Sequence, residues 1–116
     1  MRYMMIVKGA ENEGIPPQAL FEAIDKLIAD QAKSGVLVSA GGLTPSAQGA
    51  RVRIAAKKIK VIDGPFTEAK EVIGGFSIMN AASKEEAIRL AKEFMQLHID
   101  HWPEWEGECE VRQMMD

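Results

Sequence analysis

"GGFSIMNAASKEEAIRLAKEFM", residues 74–95, joins a strand to a helix with no room between them for anything else. Gly75-Phe76-Ser77-Ile78-Met79 has the apolar and aromatic content of a strand. Ser83 followed three residues later by Glu86 has the spacing of a capping box, in which the Ser hydroxyl accepts a backbone N–H and the Glu side chain reaches back to another. The helix so started is predicted to run to about residue 98. Its apolar stripe is Ala87, Ile88, Ala91, Phe94 and Met95.

The same strand-then-helix order recurs upstream. Residues 2–8 are apolar and read as a strand, leading into a loop from Gly9 to Gly14. From Pro17 onward Leu20, Phe21, Ile24, Leu27 and Ile28 recur at helical spacing, with Glu22, Asp25, Lys26 and Asp30 on the other side. Pro17 suits a first helical turn and Gly35 a left-handed C-terminal cap, which predicts a helix over 17–34. Val36 to Ala40 is a second strand stopped by Gly41-Gly42, and a last strand is expected around Glu108 to Met114. Between the halves, Arg51-Val52-Arg53-Ile54 and Lys58-Ile59-Lys60-Val61-Ile62 alternate around a turn at Ala55-Ala56-Lys57, a hairpin with one cationic face.

The order β-α-β, hairpin, β-α-β predicts an α+β fold: a ferredoxin-like split βαβ with an inserted hairpin. We expect one domain over 1–116, a single antiparallel sheet and both helices on one face. In the first strand both alternating sets are apolar, Tyr3, Met5 and Val7 against Met4 and Ile6. The face turned from the helices is therefore not built for water, and a homodimer packed through the sheet face is the simplest remedy.

The totals limit function by exclusion. A chain of 116 residues buries about 65% of its unfolded surface, enough for one core. Net charge −3 and a pI near 5.4 leave no basic face for phosphates, so nucleic acid is not an expected partner. The lone Cys109 forms no internal disulfide, which fits a reducing, cytoplasmic setting. Tyr3 to Val7 is too short for a signal-peptide core or a membrane span, so no membrane partner is expected. Gly41-Gly42 and Gly74-Gly75 lack the spacing of a nucleotide-binding loop, and no cofactor is implied.

The stretch that points to function is "VIDGPFTEAKEVIGGF", residues 61–76. Its DGPFTEAKE and GGF segments resemble the signature of the DGPF family, within the YCII-related group. "RYMMIVKG" is similar to that family's opening strand, "AGGLTPSAQGARVR" to its central Gly-Leu-x-Pro segment and "WEGECEVRQM" to its closing strand. The resemblance implies a ferredoxin-like dimer whose sheets pack face to face. A sister branch is proposed to use a His–Asp dyad with the His near the start of the first helix. Gln18, Phe21 and Ile24 occupy that region here and no His precedes residue 98, so the dyad is not carried over.

Within the motif, Asp63 is placed to accept backbone N–H groups two or three residues ahead, Pro65 fixes a dihedral and Phe66 anchors the loop by burial. Gly74-Gly75 allows a bulge or the close approach of a ligand. A turn has no need of Glu68, Lys70 and Glu71, which marks them as a candidate site. Asp63, Glu68 and Glu71 are the candidate catalytic carboxylates, able to move a proton where partial burial shifts a pKa. Lys70, the motif's cation, is the candidate anchor for an anionic group, and Gly42, Leu43, Phe66 and Gly75 complete the expected ligand-binding set.

Other chemistry-bearing residues have structural explanations. His98 lies on the apolar stripe three residues after Met95, the position of a hydrogen-bonded packing histidine, and with His101 it gives too few ligands for zinc. Trp102-Pro103-Glu104-Trp105 reads as an anchoring loop and Cys109 as an inert thiol. Two functions remain open: a small dimeric enzyme moving protons without a cofactor, as in an elimination or isomerisation, or a non-catalytic ligand-binding or regulatory dimer.

Overall fold

The structure, a computed structural model, describes residues 1–116 except for the side chain of Asn12. The elements are β1 (Arg2–Gly9), α1 (Gln18–Ser34), β2 (Leu37–Gly42), β3 (Ala50–Ala55), β4 (Lys58–Asp63), β5 (Val72–Asn80), α2 (Lys84–His101) and β6 (Gly107–Gln113), with short 3-10 turns at Glu11–Glu13 and Ser46–Gln48.

Both helices start and stop where local chemistry directs. The Pro17 carbonyl accepts the Leu20 N–H at 3.0 Å, and Gly35, at φ 80°, closes α1 in the left-handed region that costs other residues a Cβ clash. At α2 the Ser83 hydroxyl accepts the Glu86 N–H and the Glu86 carboxylate accepts the Ala82 N–H, each at 3.2 Å. The helix continues past the expected end near residue 98 to His101. Pro103 then forbids a helical Trp102, whose N–H ends on the His98 carbonyl at 2.7 Å.

Four strands form a sheet in the order β2-β5-β1-β6, every neighbouring pair antiparallel. β1 and β2 therefore point one way and β5 and β6 the other, so the crossover helices α1 and α2 run in opposite directions. They pack on each other, which puts both on one face. This is the expected α+β arrangement, compatible with a ferredoxin-like split βαβ. The sheet is not single, however: β3 and β4 pair only with each other, as a separate ribbon. β2 ends at Gly42, and the turn that follows carries the chain off its edge before β3 begins.

The ribbon turns on Ala56 and Lys57, both at positive φ, the two-residue turn whose twist matches paired strands. Arg51, Arg53, Lys58 and Lys60 share its cationic face, as expected. On the other face Val52 lies opposite Val61 and Ile54 opposite Ile59, all four between 67% and 76% exposed.

The core lies under α2. Tyr3, Met5 and Met79 of the sheet close on Ala87, Leu90 and Ala91, while no α1 residue joins that cluster among the described residues. The packing beneath α1 is looser, and the space it leaves is where the candidate site lies. On the sheet's other face Met4 and Ile6 pair with Ile78 and Phe76, an apolar strip that is only half-buried. Lys8, Glu110 and Arg112 flank it in a chain of ion pairs at 2.5 and 2.9 Å.

Candidate functional site

A cavity of about 560 Å³ opens between α1 and the sheet. Leu20, Ile24, Leu27 and Gln31 of α1 roof it, and Met5, Val7, Ser77 and Met79 form its floor. Phe94, His98, Trp102 and Trp105 close one end. At the other side the wall is backbone. Gly42 pairs with Gly75, Gly74 is the extra residue of a bulge opposite Val7 and Lys8, and a Cβ built at Gly42 or Gly74 would meet nothing within 4 Å. One glycine of each pair thus leaves room that a side chain would fill.

Gln31 is the polar exception in the roof. It follows Leu27 by one helical turn, is 7% exposed, and neither its Oε1 nor its Nε2 finds a hydrogen-bonding partner among the described residues. An amide so placed costs free energy in proportion to its lost solvation. His98, also 7% exposed, lies on the oppositely running helix, near that helix's C-terminus as Gln31 is near the C-terminus of α1. The two groups therefore stand toward opposite ends of the helix layer. Burial pushes the His98 pKa down, more than its contact with the Phe94 carbonyl raises it, so the ring is neutral. In that state Nδ1–H donates to the Phe94 carbonyl at 3.2 Å and Nε2 is an acceptor. Trp105 and Phe94 pack on the ring at centroid distances of 4.6 and 4.9 Å, and Trp105 also fills the space above Gly9.

One mouth of the cavity is fixed by a polar relay. The Glu11 carboxylate accepts the Ser46 N–H at 2.7 Å and the Ser46 hydroxyl, and Ser46 Oγ in turn accepts the Phe66 N–H at 3.1 Å. Ser46, 5% exposed, so binds three loops: the one after β1, the Gly-Leu-x-Pro segment and the DGPF loop. The Ser46 hydroxyl first, and its N–H second, hold the Glu11 pKa below the usual carboxylate range. Gly64 explains the motif's glycine. A Cβ there would stand 1.7 Å from the Ser46 carbonyl oxygen, and the Gly64 N–H donates to Gly49 at 2.9 Å.

The expected site residues fall into two groups. Gly42, Leu43 and Gly75 line the cavity; Asp63, Phe66, Glu68, Lys70 and Glu71 do not. Asp63 ends β4 opposite Ala50 with its carboxylate exposed and unbonded among the described residues, so the expected loop cap is instead Ser46 acting on Phe66. Phe66 lies under the Arg51 guanidinium at 4.0 Å. Glu68 pairs with that same Arg51 rather than with Lys70. Its pKa is lowered first by its own backbone N–H; burial opposes that, and Arg51 adds to the lowering. Lys70 and Glu71 are exposed, and Lys70 has no ion pair among the described residues. Sequence reasoning missed Gln31, Glu11 and Ser46. For Gln31 a signal existed, its place on the stripe of Leu20, Ile24 and Leu27; for the loop pair none did.

Among the described residues no three His, Cys, Asp or Glu side chains converge as a metal site requires, and no helix is long and apolar enough to cross a membrane. Half-buried Cys109 has its pKa raised by burial, which keeps it a thiol. The family model of the YCII-related domain matches residues 1–102. An uncharacterised protein of Rhizobium meliloti (strain 1021) is 36% identical over 61 residues, 53% of this chain and 49% of that protein, so the chain spans about half the length of the curated relative it matches. The chain belongs to the YCII-related family.

Proposed function

Starting from that membership, we propose that the protein is a small-molecule-binding dimer whose ligand lies in the cavity between α1 and the sheet. The observation that carries this is a space of about 560 Å³ with apolar walls, backed by glycine and roofed by a helix none of whose described residues joins the core cluster under α2. An apolar compartment of this size is what a compact metabolite with a hydrophobic body requires.

In this proposal the DGPF motif builds rather than reacts: Phe66 and Gly64 hold Ser46, and Ser46 holds the cavity mouth. Asp63, Glu68, Lys70 and Glu71 lie away from the cavity of their own chain, which favours binding over cofactor-free proton transfer by these groups. The second copy covers the Met4, Ile6, Phe76 and Ile78 strip and the exposed ribbon face of Val52, Ile54, Ile59 and Val61.

Titration of ¹⁵N-labelled protein with toluene tests the cavity. We expect saturable shifts at Leu27, Gly42 and Gly75 together. Shifts confined to the outer surface, or none, would overturn the assignment.

A further inference from the structure

We infer that the cavity selects an uncharged ligand presenting an N–H donor and a carbonyl acceptor side by side, a primary carboxamide or a lactam on an apolar body, with Gln31 as its partner. The inference rests on the cavity reading above and deepens it.

Three observations point to that class. Gln31 is more than nine-tenths buried, lines the cavity, and leaves its amide oxygen and nitrogen unpaired among the described residues; each has under 1 Å² exposed, so a turn about its last side-chain bonds is what brings that edge to a ligand. A primary amide carries a donor and an acceptor on one edge, and the group that satisfies both at once carries the same pair in reverse order. A ketone only accepts and leaves the Gln31 oxygen orphaned, while a lone hydroxyl must donate and accept from one oxygen at poor angles; each weakens binding relative to the matched pair.

Charge removes the competing classes. The charged side chains lining the cavity are Glu11 and Asp25, with no Lys or Arg among the described residues. His98 is held neutral by burial, as above. A carboxylate or phosphate therefore meets acidic groups and no counter-charge. Nor is a cation favoured: the Glu11 carboxylate is already engaged by Ser46, and Asp25 is solvent-exposed, where an ion pair contributes little.

The test is a panel of near-isosteric probes, toluene, benzamide, benzoate and benzylammonium, each titrated against the full chain and against Gln31→Leu by calorimetry, with Gln31→Met as a second variant. We expect benzamide to bind about ten-fold or more tighter than benzoate and toluene to the parent, an advantage of about 1.4 kcal/mol. Both variants should keep toluene binding and lose that advantage. If toluene binds but benzamide gains nothing over benzoate, or keeps its advantage in both variants, the ligand class is wrong and the cavity reading stands. Should no probe bind at millimolar concentration, the cavity reading fails and the class assignment falls with it.

Discussion

Ser46→Ala tests the relay that joins the family motif to the cavity. The substitution keeps Cβ and removes only Oγ, so packing is unchanged and the loss is polar. Phe66 N–H loses its acceptor at 3.1 Å, and a part-buried donor left unpaired costs about 1–3 kcal/mol. Glu11 keeps the Ser46 N–H at 2.7 Å but loses the hydroxyl. We expect about 2 kcal/mol of destabilisation at pH 7, read as a lower urea midpoint at unchanged slope. The accompanying fall in Tm is about 6–12 °C, interpolated between the sensitivities of smaller and larger domains. The pH dependence fixes the cause. Glu11 has its folded pKa depressed mainly by the Ser46 hydroxyl, so its contribution is present above the unfolded value near 4.3 and lost as pH falls toward the folded one. The gap between parent and Ser46→Ala should therefore narrow below about pH 4.3. A change under about 0.5 kcal/mol at pH 7, within the range of an ordinary surface substitution, or a gap that widens in acid, would refute the relay.

Three further outcomes follow from the same contacts. Gly64→Ala drives a Cβ to 1.7 Å from a backbone oxygen that no side-chain movement relieves, and should cost about 3 kcal/mol or more; a parent-like urea midpoint would show that the approach is not so close. His98 is buried neutral while its unfolded counterpart takes up a proton near pH 6.5, so stability should be flat above that pH and fall below it. His98→Leu should remove that part of the slope, and an unchanged slope between pH 7.5 and 5 would contradict the assignment. Light scattering should give the parent twice its 12.7 kDa chain mass, and Ile54→Lys with Ile59→Lys should return it to one chain mass while folded. A parent that is monomeric at micromolar concentration would count against the dimer.

The fold was legible wherever local chemistry decides. Pro17, Gly35, Ser83 and Glu86 mark helix ends by their own dihedrals and hydrogen bonds, so α1 and the start of α2 were placed to within a residue. Alternation in Arg51 to Ile62 marked the hairpin but not that it stands apart from the main sheet, because the side-chain period is the same in a separate ribbon as in a central sheet. Gly42 and Gly75 could be placed beside open space because paired glycines mark backbone bare of side chains, though of the two only Gly75 closely approaches another backbone. Gln31 was missed because a polar residue on a helix is ordinarily a surface residue, and only its spacing from Leu27 and Leu20 contradicts that. Ser46 was missed for a different reason: a loop residue has no period, and its partners Glu11 and Phe66 are 35 and 20 residues away in sequence.

The most direct measurement is a crystal structure of the protein soaked with benzamide, with the density read between α1 and β5. We expect the aromatic ring between Leu27 and Met79 and its amide about 3 Å from both Gln31 Oε1 and Nε2. Ordered water alone beside Gln31, or benzamide bound only outside the cavity, would contradict it.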